Sequence, residues 1–273
     1  MDAFSTGRLA ETLGDHHQDA EPAGRAGPGP DPQAPKPRPE GRLSGMLRRL
    51  LMRRATVTAC EPVAEGFRLI TLESPDFRSL EWTPGDKLQI AMGSVFVART
   101  YTPIEWDAEA GRARILAYAH GAGPGSDWIR DLKTGDVCDV FGPRASLDVS
   151  WIPGPVFLFG DETAFGLAAA MRRQGYADKV EFVFEVNDMA QTRRVLGALD
   201  FRAFRPVERQ PDDGHLMEIE TRLPALAASG VTFVLTGRSV AIQRMRRALK
   251  RLELPVERLM TKAYWAPGKA GLD

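Results

Sequence analysis

The sequence has little cysteine and no excess of charge of either sign. Its 273 residues include only Cys60 and Cys138, with no CxxC pair and no cluster of histidines. This scarcity argues against a disulfide framework, an iron–sulfur cluster and a structural zinc site. The 36 lysines and arginines equal the 36 aspartates and glutamates. The chain therefore has no overall field that would attract nucleic acid, and a charged ligand must be recognised locally.

The sequence also lacks long apolar runs. No run approaches the roughly 20 residues that cross a bilayer, and the N-terminus lacks the basic and then apolar segments of an export signal. We therefore predict a cytoplasmic protein with no stable membrane insertion. Residues 46–54 are basic and amphipathic, which leaves a membrane-touching helix as the alternative to a lead-in helix packed on its own domain.

What is present predicts two modest domains after a tail. Hydrophobic residues make up 43% of the chain and charged residues 26%, which is ordinary globular usage. Residues 1–44 are rich in proline, glycine and charge, and are predicted to form a disordered tail. We place the two domains at 45–152 and 153–273.

The first domain is predicted to be built from short strands. Turn sequences that contain Gly85 and Gly135 separate them, and their close spacing is typical of an antiparallel barrel. One helix is expected here, over 126–132. The predicted strands span 56–60, 67–73, 87–92, 95–102, 114–119 and 137–141.

After Pro155 buried apolar strands alternate with helices. This rhythm is typical of a parallel sheet covered on both faces, as in nucleotide-binding α/β domains. The predicted strands span 156–159, 180–186, 231–235 and 258–262, and the predicted helices span 163–174, 190–199 and 240–252.

The end of one barrel strand carries residues suited to a cofactor. In residues 99–103, RTYTP, alternation places Arg99 and Tyr101 on one face, and Pro103 is expected to end the strand ladder. A guanidinium beside an aromatic ring suits a cofactor that has a phosphate and a flat ring system. A barrel surface with an extended arginine is the alternative explanation.

A glycine-rich turn follows in residues 120–128, HGAGPGSDW. Glycines permit close approach to the backbone, and Ser126 is predicted to cap the helix that follows. Backbone N–H groups at such a helix start form an anion site. A capped helix after a flexible turn, with no ligand, is the alternative.

Together the two segments resemble the siderophore-interacting protein family, ferric-siderophore reductases related to ferredoxin reductases. In that family an Arg-x-Tyr-Thr strand and a His-Gly-x-x-Gly-Pro-x-Ser-x-Trp turn hold FAD. The resemblance implies an antiparallel Greek-key FAD-binding β-barrel followed by a Rossmann-like parallel-sheet domain of the NAD(P)-binding type, a ferredoxin reductase-like fold. It implies as cofactor-binding residues Arg99, Thr100, Tyr101, Thr102, His120, Gly121, Gly123, Gly125, Ser126 and Trp128.

The resemblance also implies individual roles. Arg99 would pair with the cofactor phosphates, Tyr101 would pack along the isoalloxazine, and Thr102 would hydrogen-bond near its reactive edge. Ser126 and the neighbouring amides would hold the pyrophosphate.

In the second domain, residues 160–164, GDETA, match the family's turn after the first α/β strand. The match adds Asp161, Glu162 and Thr163 to the cofactor-binding set and places Thr163 near the flavin. A plain helix cap would also explain the two acids.

Near the chain end, Tyr264 and Trp265 are similar to the family's terminal Tyr-Trp pair. The resemblance places them near the flavin or the acceptor. The alternative is an aromatic anchor for the end of the chain.

The sequence departs from the family pattern at three places. Ile104 stands where a second arginine is usual, Arg238 follows Thr236 and Gly237 where Ala-Gly-Glu is usual, and Gly166 replaces a common proline. We nominate Arg238, Lys262 and Lys269 as a basic patch for an anionic ferric siderophore, with solvated surface charges as the alternative.

The resemblance implies that the flavin carries the chemistry, so no protein side chain is assigned as certainly catalytic. Electrons from NADPH, NADH or a ferredoxin would pass through FAD to a ferric siderophore or another ferric chelate, releasing Fe(II). One alternative is an FAD-dependent NAD(P)H oxidoreductase with a different acceptor. Another is a non-redox protein that binds FAD or a chelate.

Overall fold

The computed structural model describes residues 52–94, 97–176 and 179–269, without the side chains of residues 93, 94 and 176. The predicted tail over 1–44 and most of the basic segment over 46–54 lie outside this part of the chain. The described residues all belong to one compact unit, Glu40–Asp273. The domain boundary after residue 152 stays a prediction. No helix within the described residues is long and apolar enough to cross a membrane.

Seven strands form an antiparallel sheet in the first half of the chain. Their order is β4-β3-β7-β1-β2-β6-β5, and every neighbouring pair is antiparallel. One α-helix, α1 (Pro124–Asp131), and a 3-10 helix over Pro75–Ser79 belong to the described residues of this half. The strands are β1 (Arg53–Ala64), β2 (Phe67–Glu73), β3 (Lys87–Ser94), β4 (Val97–Tyr101), β5 (Pro103–Asp107), β6 (Arg112–Tyr118) and β7 (Val137–Arg144).

The connection between β4 and β5 closes this sheet into a barrel. The two strands stand at opposite ends of the strand order, yet Thr102 alone separates them along the chain. Consecutive Cα atoms are about 3.8 Å apart, so the two edges of the sheet must meet at this residue. The buried side chains of Val57, Ile70, Leu88 and Ile115 belong to the apolar core of this barrel.

The second half contains a parallel sheet of five strands with the order β10-β9-β8-β11-β12. The chain runs outward from β8 to β10 and then returns to the other side of β8. Ligands in such sheets bind beyond the carboxyl ends of the strands where the order reverses, which here is between β8 and β11. The strands are β8 (Val156–Gly160), β9 (Val180–Val186), β10 (Arg205–Glu208), β11 (Thr232–Arg238) and β12 (Leu259–Trp265).

Helices cover both faces of the parallel sheet. Residues of α4 and α5 pack with one face in an apolar cluster that includes Phe157 and Phe233. Residues of α2 and α3 pack with the opposite face, in a cluster that also contains Phe67 and Leu69 of the barrel. The two lobes thus share apolar core. The helices are α2 (Phe165–Met171), α3 (Met189–Ala198), α4 (Leu216–Ala228) and α5 (Ser239–Arg251), with a 3-10 turn over Glu162–Ala164 before α2 and a π-helical turn over Arg172–Tyr176 after it.

Most elements of the sequence prediction are present, and β9 has the predicted bounds. Three elements were not predicted, namely β5, β10 and α4. The β4 strand ends at Tyr101, before Pro103, as predicted, but Pro103 also begins a new strand, β5, at the edge of the strand order beside β6. Pro224 lies inside α4 and interrupts the helical pattern there.

Two glycine turns offer a matched test of this fold. Gly85 and Gly135 both have a positive φ, at +100° and +97°. A Cβ at Gly85 would lie 1.7 Å from the carbonyl oxygen of Leu147, whereas a Cβ at Gly135 would meet no atom within 4 Å. We expect Gly135→Ala to lower the free energy of unfolding by about 1–2 kcal/mol, the cost of the left-handed backbone alone. Gly85→Ala should cost at least about 3 kcal/mol. Urea unfolding measures both, and equal losses would contradict the packing around Gly85.

Candidate functional site

A cleft of about 580 Å³ lies where the barrel meets the carboxyl end of the parallel sheet. Strand β4 and the turn before α1 line one side, and the turn after β8 and the end of β12 line the other. Its size is that of a cofactor or small-ligand site. The predicted residues in the lining are Arg99, Thr100, Tyr101, Thr102, His120, Gly123, Gly125, Ser126, Glu162, Thr163, Lys262, Tyr264, Trp265 and Lys269.

Arg99 and Gly125 bring the strand and the glycine turn into direct contact. A Cβ at Gly125 would lie 2.9 Å from Cγ of Arg99, so hydrogen alone leaves room for the arginine to pass. Nη1 of Arg99 donates a hydrogen bond to the carbonyl oxygen of Ala98 at 2.9 Å. The two segments that the sequence analysis singles out therefore form one continuous surface.

The turn itself differs from the prediction in one detail. Helix α1 begins at Pro124, with Gly123 as its N-cap, so Ser126 lies inside the first turn and is not the cap. The hydroxyl of Ser126 instead donates to the carbonyl oxygen of His120 at 2.9 Å and closes the turn. The first N–H groups of a helix have no partner within that helix. Those of Gly125 and Ser126 are thus suited to an anion.

An aromatic wall runs along one side of the cleft. The ring of His120 lies 5.3 Å from that of Tyr118 and 6.1 Å from that of Trp265, measured between centroids. Burial lowers the pKa of His120, although the charge of Glu162 opposes this shift. The imidazole is therefore neutral at pH 7. The sequence analysis missed Tyr118, the last residue of β6, whose ring lies beside that of His120.

Tyr101 and Trp128 extend the aromatic surface from the barrel side. Their ring centroids lie 6.0 Å apart, but only Tyr101 belongs to the cleft lining. Burial raises the pKa of Tyr101, although the nearby charge of Arg99 opposes the rise. Trp128 supports the ring of Tyr101, and Gly121 lies outside the lining as well.

Asp161 lies behind the cleft and not in its lining. Its side chain is fully buried, and Oδ1 accepts hydrogen bonds from the backbone N–H of Thr163 at 2.9 Å and from the Thr163 hydroxyl. Oδ2 accepts a hydrogen bond from Nε1 of Trp265 at 2.6 Å. Burial raises the pKa of Asp161 to about 6, partly offset by the hydrogen bond from Thr163.

Glu162 lines the cleft and is held from behind. Its Oε1 accepts from the backbone N–H of Asn187 at 2.6 Å, and its Oε2 accepts from Nη2 of Arg209 at 2.9 Å. The same Arg209 nitrogen donates to the carbonyl oxygen of Glu185 at 3.1 Å. The sequence analysis missed Arg209, because its acidic partner Glu162 lies 47 residues earlier in the chain.

Contrary to the prediction, Arg238 does not line the cleft. It is 8% exposed, and its guanidinium donates to both carboxylate oxygens of Glu185 at 2.8 and 2.7 Å and to Asp213 at 2.5 Å. His215 contacts the same carboxylate at 2.8 Å through Nε2. Glu185, Asp213 and His215 are close enough to hold a metal ion, but the guanidinium of Arg238 already bonds both carboxylates.

The other two nominated basic residues do line the cleft. Lys262 lies in β12, and Lys269 is exposed just beyond it. Lys87 of β3 is a third lysine in the lining, which the sequence analysis did not nominate. The cleft thus has a basic character that the balanced composition of the whole chain does not show.

Two departures from the family pattern lie beside the cleft. Ile104 is fully buried in the apolar cluster shared by the two lobes. Gly166 lies in the lining, where a Cβ would come within 3.0 Å of the carbonyl oxygen of Thr102. Both residues therefore serve close packing between β5 and α2.

Comparison with known proteins identifies the barrel. Residues 87–147, which include Arg99 and the whole glycine turn, match the family model of the siderophore-interacting FAD-binding domain. Over these residues the chain is similar to a siderophore-interacting FAD-binding domain. No curated protein sequence matches the chain.

Solved structures show the fold around this FAD-binding domain. The siderophore-interacting protein SipS from Aeromonas hydrophila is 23% identical with a TM-score of 0.66, over 80% of this chain and 92% of that one. A siderophore utilization protein from T. fusca is 23% identical with a TM-score of 0.63, over 81% and 95%. Ferredoxin-NADP+ reductase from Plasmodium falciparum is 12% identical with a TM-score of 0.64, over 78% and 96%. The predicted ferredoxin-reductase-like fold is thus confirmed.

The cleft of the FAD-binding domain fits the cofactor. Arg99 and the first turn of α1 supply the donors that a pyrophosphate requires, and Gly125 leaves the space in which they meet. The rings of Tyr101, His120 and Trp265 provide flat apolar surface for a ring system.

Replacing Arg99 tests this assignment. We expect Arg99→Ala to weaken FAD binding about thirtyfold, which corresponds to about 2 kcal/mol, because a phosphate loses a charged two-point partner. The ratio of flavin absorbance to protein absorbance measures occupancy. Arg112→Ala is the matched control, since Arg112 pairs with Asp107 outside the cleft lining. Unchanged occupancy in Arg99→Ala would contradict the assignment.

The raised pKa of Asp161 predicts a pH dependence of stability. Between the ordinary value of 3.8 and about 6, the folded chain holds a proton on Asp161 that the unfolded chain has released. Stability from this group is therefore lost as the pH rises through about 6. The free energy of unfolding of the wild type, minus that of Asp161→Asn, should fall by on the order of 2–3 kcal/mol between pH 4 and 8. Urea titrations at several pH values measure it, and a difference that grows with pH would refute the shift.

Proposed function

We propose that the protein is an FAD-dependent oxidoreductase that reduces ferric siderophores and so releases Fe(II). One observation carries this proposal. A single cleft is lined by the FAD-binding motifs of the barrel and by Thr163, Tyr264 and Trp265 of the second lobe. A flavin held by the barrel would thus face the lobe that, in a ferredoxin-reductase-like fold, meets the redox partners.

The barrel residues bind and orient the cofactor in this proposal. Arg99 and the amides of Gly125 and Ser126 bind the phosphates. Tyr101 packs against the ring system, and its raised pKa keeps its hydroxyl protonated. Bound FAD supplies the capacity to take up electrons as a pair or singly and to pass them on singly.

The second lobe forms the other side of the cleft. The hydroxyl of Tyr264 lies near the side chains of Thr236 and Thr102, which places the end of β12 beside the seam of the barrel. Burial raises the pKa of Tyr264, so its hydroxyl also stays protonated. Thr163 and Trp265 complete this side of the cleft. Across from them, the neutral imidazole of His120 places no charge beside the ring system of the flavin.

The lysines provide the site for the substrate. Ferric siderophores are often anionic, and Lys262 and Lys269 bring positive charge to the cleft. Reduction converts Fe(III) to Fe(II), which hard oxygen donors hold less strongly, so the iron leaves the chelate. NADPH, NADH and a reduced ferredoxin are the proposed donors, and we propose that the reaction takes place in the cytoplasm.

The purified protein tests the proposal in two steps. First, its spectrum should show flavin bands near about 450 nm. Second, ferric citrate or a ferric hydroxamate should be reduced much faster than quinones or cytochromes when NADPH, NADH or reduced ferredoxin is supplied without oxygen. An Fe(II)-selective chromogenic chelator measures the product.

The outcomes separate the alternatives. Faster reduction of a quinone or a cytochrome would favour an oxidoreductase with another acceptor. If the flavin stays oxidised with all three donors, the result would favour a protein that binds FAD without redox turnover over an enzyme. A Lys262→Ala, Lys269→Ala double variant should raise the KM for an anionic chelate and leave FAD occupancy unchanged.

A further inference from the structure

Asp161 connects the turn after β8 to the last strand of the chain. Its Oδ2 accepts the indole N–H of Trp265 at 2.6 Å, across 104 residues of sequence. Asp161 itself does not line the cleft, whereas Trp265 does. The carboxylate is fully buried, so this hydrogen bond is shielded from water. An influence of Asp161 on the cleft must therefore pass through a neighbour.

The backbone around this hydrogen bond is specialised as well. Gly237 has φ +96°, and a Cβ there would lie 2.7 Å from Cγ of Asp161, so the end of β11 lies directly against the carboxylate. In the pairing of β11 with β12, Gly237 faces Ala263 but Arg238 faces Trp265. This register shift is a bulge, which changes the direction of side chains along a strand.

Two adjacent aromatic residues at this bulge, Tyr264 and Trp265, serve one cleft. Successive side chains of a regular strand point to opposite faces. Tyr264 and Trp265 nevertheless both line the cleft. With the bulge, Tyr264 reaches Thr102 while Trp265 reaches Asp161 and lies beside His120.

We propose that Asp161 is a positioning residue, which acts through Trp265 and fixes its indole as a wall of the FAD cleft. The effect on FAD affinity rests on the proposed function, whereas the placement of the indole does not. Asp161 needs both carboxylate oxygens for this role, because Oδ1 accepts from Thr163 and Oδ2 from Trp265. An asparagine has one acceptor oxygen, and it would turn its NH₂ group towards one of these two donors.

The emission of Trp265 in the full chain without flavin provides the first test. The spectrum of the wild type minus that of Trp265→Phe isolates this one indole among five tryptophans. In Asp161→Asn, measured at about pH 7.5 where the wild-type carboxyl is ionised, the Trp265 emission should shift to longer wavelength. Thr163→Ala touches the same carboxylate from the other side and should leave this emission in place. Circular dichroism checks that each variant folds.

Affinity for FAD in a double-mutant cycle provides the second test. Asp161→Asn should weaken FAD binding about tenfold in the wild-type background. In the Trp265→Phe background, Asp161→Asn should weaken FAD binding less than about twofold. Phenylalanine has no indole N–H, so the NH₂ group of the asparagine no longer faces a second donor. Fluorescence titration of FAD measures all four proteins.

The results distinguish the positioning role from a helix cap. If Asp161 served only to cap the turn through Thr163, Asp161→Asn would cost the same in both backgrounds, and the proposal would be overturned. An unshifted Trp265 emission in Asp161→Asn would also overturn it. If the wild type binds no FAD, the proposed function fails. The emission experiment would still decide whether Asp161 fixes the indole of Trp265.

Discussion

The seam at Thr102 is the constraint on which both the barrel and the cleft depend. It joins β4 to β5, so the two edges of the antiparallel sheet must meet there. A Cβ at Gly166 would lie 3.0 Å from the carbonyl oxygen of Thr102, and the Thr102 side chain lies near the hydroxyl of Tyr264. A single residue thus closes the barrel, contacts the first helix of the second lobe and contacts the last strand. Because these contacts are made in one place, they join the barrel side of the cleft to the side that α2 and β12 form.

Buried charge at the carboxyl edge of the parallel sheet follows a consistent rule. Each carboxylate there meets donors of its own, since an unpaired buried charge would be far more costly than a paired one. Asp161 meets Thr163 and Trp265, Glu162 meets Arg209, and Glu185 meets Arg238. None of these pairs is local in sequence except the turn at Thr163. The edge is therefore held together by contacts between residues far apart in sequence. Thr163 and Trp265 are among the members of these pairs that line the cleft.

Local pattern was enough to predict the two kinds of sheet, because the turn glycines and the apolar strands are visible in short windows. It was also enough to pair Arg99 with the glycine turn, because a known motif spans both. The sequence did not reveal β5, since Pro103 looked like an end, or α4, since Pro224 interrupts its pattern. The misplacement of Arg238 has a different cause. Its partner Glu185 lies 53 residues away, and only the fold brings the two together.

The position of Arg238 changes where positive charge can act. A free arginine at the end of β11 would have placed a cation at the point where the strand order reverses. The salt bridge with Glu185 removes that charge from the cleft, so the nominated basic groups that remain in the lining are Lys262 and Lys269. Both belong to β12 or the residues just after it, the same segment from which Trp265 donates its hydrogen bond to Asp161. Under the proposed function, one strand would therefore carry both the wall against the flavin and the charge that meets an anionic chelate. A shift of β12 would then alter cofactor and substrate binding together.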